Sequence, residues 1–113
     1  MIKVKEFCTL SKKDFEELKQ LHRLCLPEAN YSEKYYKDKK RKPLIVLIKE
    51  NEKLNGFVFG RLKKNSKNIF VLDSLGVEPK KRQQGLAEKL MQKIIANIWA
   101  RLSEIKKINF AFS

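Results

Sequence analysis

The sequence predicts an α+β domain: a mixed, mainly antiparallel sheet flanked by helices. Three observations predict it. Three β-rich runs at 44–50, 56–64 and 68–77 follow one another across polar turns, which is the signature of an antiparallel meander. Two segments, 11–26 and 86–102, carry apolar residues at helical spacing. The second of these helices separates the run 68–77 from a last apolar segment at 108–112. A helical crossover of that kind joins strands that run parallel. The resulting order, β α α β β β α β, belongs to the α+β class.

Each element has a local reason. Residues 1–7, MIKVKEF, alternate apolar and charged residues in part and read as a short strand. Ser11 offers an N-cap, with Asp14 three residues on to complete a capping box. Phe15, Leu18, Leu21, His22 and Cys25 then form one stripe, and Pro27 stops the helix. Between 28 and 43 the chain is polar and basic, with a short helix expected from Ser32 to Lys39 that ends before Pro43. LIVLIKE (44–50) is continuously apolar at its start, as a strand covered on both faces should be. ENEKLNG and KKNSKN supply the turns of the meander. From Leu86 onward, Leu90, Met91, Ile94, Ile95, Ile98, Trp99 and Leu102 form one broad stripe.

At 113 residues, the chain is expected to be a single domain, 1–113. It holds no apolar run long enough for a membrane-spanning helix, and MIKVKEF lacks the apolar core of a signal peptide, so no membrane partner and a cytoplasmic location are expected. Cys8 and Cys25 have no metal-like spacing, so reduced thiols and no metal are expected. The net charge of +13 favours anionic partners: nucleic acid, acidic lipid or phosphorylated small molecules. Most of the excess is lysine, which a Lys-rich composition would give without any such partner. Tyr31, Tyr35 and Tyr36 beside the basic run 37–42 are a candidate nucleic-acid stripe, though a helix laying its aromatics over a sheet edge explains them too.

The stretch that carries chemistry is PKKRQQGLAEKLM, from Pro79 to Met91. It sits between the run IFVLDSLGV and the second helix. A helix N-terminus leaves backbone N–H groups unpaired at the positive end of the helix dipole, which suits a phosphate. Gly85 lets an anion approach the backbone, Ala87 keeps the first turn slim, and Lys80, Lys81 and Arg82 add positive charge.

LGVEPKKRQQGLAEKLM resembles the acyl-CoA-binding segment of the GNAT superfamily of N-acetyltransferases. That family carries Arg/Gln-x-x-Gly-x-Gly/Ala after a strand ending Val-x-Pro, here Arg82-Gln83-Gln84-Gly85-Leu86-Ala87 after Val77-Glu78-Pro79. The element order agrees as well. The resemblance implies a GNAT-like acyl-CoA N-acyltransferase fold, acetyl-CoA as co-substrate and a primary amine as acceptor. Backbone groups of Leu75 and Val77 would pair with the pantetheine arm as an added strand. Amides of Gln83, Gln84, Gly85, Leu86 and Ala87 would hold the pyrophosphate, with Arg82 adding charge outside. The family's fourth and fifth strands splay apart here, and Gly76 suits a bulge or bend that helps them do so. Transfer needs a base for the amine proton and a donor for the carbonyl oxygen, for which a strand N–H near Val77 would serve. Asp73 is the nearest candidate base, against an alternative in which it is an outward-facing carboxylate. Glu78 is by default an exposed turn carboxylate. His22, on the apolar side of its helix, is a packing residue before it is a base.

Family members usually continue past the fifth strand with a further helix and two strands, a region that often supplies a tyrosine as acid toward the departing thiolate. Here the sequence ends at Ser113, and no tyrosine follows Tyr36. The resemblance covers nearly all of the chain and about two-thirds of the usual family domain, so the fold is expected to be truncated after the fifth strand. An uncovered edge at 108–112 predicts a homodimer. Three functions stay open: an N-acetyltransferase, a non-catalytic CoA-binding or regulatory module of the same fold, and a small basic nucleic-acid-binding protein.

Overall fold

The computed structural model describes residues 10–26 and 38–112 and the backbone of 2–6. Cys8, Pro27, the tyrosines at 31, 35 and 36 and most of the helix expected from Ser32 lie outside the described residues. Among the described residues, five strands form one sheet in chain order: β1 (Ile2–Glu6), β2 (Leu44–Glu50), β3 (Lys53–Leu62), β4 (Ile69–Val77) and β5 (Lys107–Phe110). The first three pairings are antiparallel and β4–β5 is parallel, as the helical crossover requires. Helices α1 (Lys12–Cys25) and α2 (Leu86–Arg101) complete the fold.

The helices cover opposite faces of the sheet, and the alternation of β2 shows why. Ile45 and Leu47 pack in a cluster with Phe15, Leu18 and Leu21 of α1. Leu44, Val46 and Ile48 pack in a second cluster with Leu86, Leu90, Ile94 and Ile98 of α2. Successive side chains of a strand point to opposite faces, so a strand between two helices must be apolar throughout. Each such buried side chain contributes about 1.5–3 kcal/mol.

The α1 cap forms as the sequence suggests on one side only. Ser11 Oγ accepts from Asp14 N at 3.1 Å. The Asp14 carboxylate does not return to the cap; it pairs with the Lys49 ammonium on β2 and ties the helix to the sheet. That contact holds the Lys49 amine above its ordinary range, chiefly through the Asp14 hydrogen bond.

Strand β3 starts three residues before the expected position 56, because the turn ahead of it is tighter than ENEKLNG suggests. Asn51 and Glu52 both take positive φ, 49° and 64°, so pairing resumes at once with Glu50 opposite Lys53. Two successive left-handed residues match the twist of a hairpin. Two bulges follow, one between Ile48 and Lys49 of β2 against β3, the other between Phe59 and Gly60 of β3 against β4. In the second, Asp73 is the extra residue, since Phe59 faces Ser74 and Gly60 faces Leu72.

Gly76 is therefore not the bend. It stands in regular register opposite Phe57. A Cβ there would lie 2.5 Å from the Phe57 ring and 3.1 Å from Cys25 Sγ. The position is glycine because α1 and β3 crowd onto it.

Candidate functional site

The site is built where β4 loses a neighbour. β5 follows β4 only from Ile69 to Leu72, and Ala111 N closes the pairing by donating to Leu72 O at 2.9 Å. From Asp73 to Val77, β4 has β3 on one side and, among the described residues, no strand on the other. The bulge at Asp73 falls where β5 leaves. Val77 O faces this open side and accepts from Arg82 Nε at 3.1 Å and from the Cys25 thiol at 3.5 Å. Strand alternation sets the backbone groups of Leu75 on the same edge as those of Val77.

Beyond Val77 the chain makes one turn of 3-10 helix, Pro79–Lys81. Glu78 caps it by accepting from Lys80 N at 3.1 Å, so this carboxylate has a structural use. Lys81 pairs with Glu50 at 3.3 Å. Gln83 then takes φ +68° and Gly85 φ +74°. Gly85 is the N-cap of α2 and offers the helix no side-chain acceptor. From Gln83 to Glu88 no backbone N–H has an acceptor among the described residues; the first helical bond is Lys89 N to Gly85 O at 3.1 Å. Left-handed residues in such a turn bring successive N–H groups into a concave nest that suits an anion. The space before Gly85 is open: apart from its chain neighbours, no described atom lies within 4 Å of where a Cβ would stand. Glycine is required there by its φ, not by crowding.

Gln83, Gln84, Gly85 and Ala87 are exposed around this turn, and Leu86 is buried as the first residue of the α2 stripe. Arg82 turns back from the nest: besides its bond to Val77 O, its Nη2 lies 3.9 Å from Cys25 Sγ. Its guanidinium thus links the open edge of β4 to the helix N-terminus. Asp73 is part-buried and paired with Arg61 of β3, Nε to Oδ2 at 2.9 Å. His22 is buried against the Phe57 ring, with centroids 5.5 Å apart. Burial pushes its pKa down to about 4.

Three features lay beyond sequence reasoning. The Cys25 thiol reaches β4 across 52 positions of sequence, and no local pattern announces such a contact. Ser74 Oγ is fully buried with no hydrogen-bond partner among the described residues, beside Asp73 on the strand. The left-handed Gln83 had no signal either, since glutamine is not a residue that favours positive φ. Among the described residues, no group of three or more His, Cys, Asp or Glu is placed to hold a metal ion. No helix among them is long and apolar enough to cross a membrane.

The mixed sheet with its helical crossover matches the fold of solved acyl-CoA N-acyltransferases. The chain belongs to the acetyltransferase (GNAT) family, whose sequence model matches residues 11–112. It is similar in fold to an aminoglycoside 6'-N-acetyltransferase solved with coenzyme A, with a TM-score of 0.71, 20% identity, and 88% of this chain and 56% of that chain covered. It is likewise similar to Escherichia coli ElaA, with a TM-score of 0.75, 16% identity and coverage of 95% and 77%. A ribosomal-protein-alanine N-acetyltransferase from Brucella melitensis biovar Abortus 2308 gives a TM-score of 0.68 at 16% identity, covering 100% of this chain and 80% of that one. No curated protein matches the chain in sequence. At these identities the likeness is one of fold.

Proposed function

We propose that this domain transfers the acetyl group of acetyl-CoA to a primary amine by direct attack on the thioester. The observation that carries the reading is the run of open amides from Gln83 to Glu88, set at the end of a strand edge that no other described strand covers. An extended pantetheine arm would pair with the Leu75 and Val77 backbone as a strand does. The pyrophosphate would take the amides of Gln83, Gln84, Gly85, Leu86 and Ala87 at the positive end of α2. Arg82, fixed by Val77 O, adds charge beside them.

In the reaction the amine lone pair attacks the carbonyl carbon, the C–S bond breaks, and CoA leaves as thiolate. The amine gives up a proton, for which Asp73 is the proposed acceptor. A strand N–H near Val77 would bind the carbonyl oxygen as it becomes anionic. His22 is too deeply buried against Phe57 to take that part. Incubation with acetyl-CoA and a panel of amines, followed by release of free thiol, tests the proposal. Thiol release that depends on the amine supports it; none with any amine contradicts it.

A second reading, binding of acyl-CoA without turnover, is favoured by one observation. Asp73 is already tied to Arg61, which holds one carboxylate oxygen away from a substrate. Stabilisation by acetyl-CoA with no thiol release under any condition would select it.

A further inference from the structure

The molecule gathers positive charge at the pole opposite the α2 N-terminus. Three turns meet there: Lys39–Arg41, the β3–β4 connection and the α2–β5 connection. They are stitched together by hydrogen bonds. Arg41 Nε donates to Leu62 O at 2.8 Å, and Lys106 N to Asn68 O at 2.8 Å. Ser66 Oγ accepts from Asn68 N and Ile69 N, each at 3.2 Å. The surface is thus a fixed one.

Two adjoining hollows of about 710 and 200 Å³ occupy it and share Lys42, Leu62, Lys67 and Glu104 in their walls. Besides Arg41, their cations are Lys40, Lys42, Lys63, Lys64, Lys67 and Arg101, against the carboxylates Asp38 and Glu104. None of these cations takes part in an ion pair among the described residues. Seven cations gathered against two carboxylates leave an excess of like charge, and an anion of matching density relieves the repulsion.

We propose that this pole binds the phosphate backbone of a nucleic-acid duplex without regard to sequence. Lysine meets phosphate as a point charge and carries little base-reading geometry. A duplex presents one charge per roughly 1.7 Å of axis, a density suited to seven cations around one concavity. None of the exposed large apolar residues Leu24, Leu26, Trp99 and Phe110 lines the hollows. The described lining of the hollows therefore presents no exposed large apolar side chain to insert into a lipid layer and no aromatic ring to stack on unpaired bases. The pole is separate from the acyl-CoA turn: β4 spans about 26 Å between them at roughly 3.3 Å per residue. The inference is independent of the acyltransferase reading.

Fluorescence anisotropy with a labelled duplex of about 20 mixed-sequence base pairs tests it, run against the single strand, polyglutamate and phosphatidylserine vesicles, over a salt series. The duplex should bind tightest, with log K falling linearly in log salt. The triple variant Lys63→Glu/Lys64→Glu/Lys67→Glu, checked by its melting curve, should bind at least about tenfold more weakly and with a shallower salt slope. Gly85→Glu, at the other pole, should bind the duplex as the parent does. Undiminished binding by the triple variant would overturn the proposal. So would tighter binding of the single strand, polyglutamate or vesicles, or an equal loss in Gly85→Glu.

Discussion

Arg61 Nε lies 2.9 Å from Asp73 Oδ2, joining β3 to β4 at the bulge where β5 departs. Both side chains are largely withdrawn from water, at 12% and 15% exposure. The carboxylate proposed as the base is thus also a structural tie. The two roles separate by mutation. Asp73→Asn should lower kcat about 10²-fold if Asp73 takes the amine proton, with acetyl-CoA affinity unchanged. It should also lose about 1–3 kcal/mol of stability, because the part-buried Arg61–Asp73 ion pair is lost. Arg61→Gln should show the stability loss without the full loss of kcat. Equal kcat losses in both variants would remove Asp73 from the chemistry.

His22 makes stability pH-dependent. Its folded pKa of about 4 lies below the ordinary 6.5 because burial disfavours the charged ring. The unfolded chain therefore binds the proton more readily, and its contribution is intact above pH 6.5 and is lost as pH falls toward about 4. This is the chain's one histidine, so a single replacement isolates the effect. The melting temperature of the parent relative to His22→Leu should fall steadily across that window in matched buffers. A pH-independent difference would mean that His22 titrates alike in both states.

Much of the fold was legible in the sequence because its signals are local. The stripe of α2 and the continuous apolar run of β2 specify both faces of the sheet, and the crossover helix specifies the parallel pairing of β4 and β5. What was not legible depends on residues distant in sequence. The bulge at Asp73 is a matter of register between β3 and β4, while the glycine expected to mark it serves instead to admit the Phe57 ring. In the site, the turn was legible through Gly85 and its flanks. The retreat of Arg82 onto Val77 O was not, since sequence gives a charge but not the acceptor it selects.

The crowding at Gly76 gives a stability prediction. Gly76→Ala places a methyl group 2.5 Å from a fully buried phenyl ring that has no room to yield. Chemical denaturation should show a loss of about 1–3 kcal/mol. Gly76→Ala combined with Phe57→Leu should lose less than the sum of the two changes. Strict additivity would show that the ring is not the obstacle.

Among the described residues β5 is an edge strand of the sheet, and Phe110 on it is 56% exposed. Trp99 on α2 is 49% exposed. An unpaired edge beside apolar side chains favours pairing with another copy, and salt screens the repulsion between the basic chains beyond about 8 Å. Light scattering should find a concentration-dependent homodimer through 108–112, dissociated by Phe110→Asp. A monomer at every concentration would contradict it.

Acetyl-CoA binding at the α2 N-terminus is the claim on which the functional account rests, and a thermal shift tests it directly. A ligand that binds only the folded state raises the melting temperature by mass action. Millimolar acetyl-CoA should raise that of the parent. Gly85→Ala, which bears the same strain at positive φ without adding charge, should retain part of the shift. Gly85→Glu should be folded and show none, because its carboxylate occupies the open space before the amides. No shift in the parent, or a full shift in folded Gly85→Glu, would contradict the account.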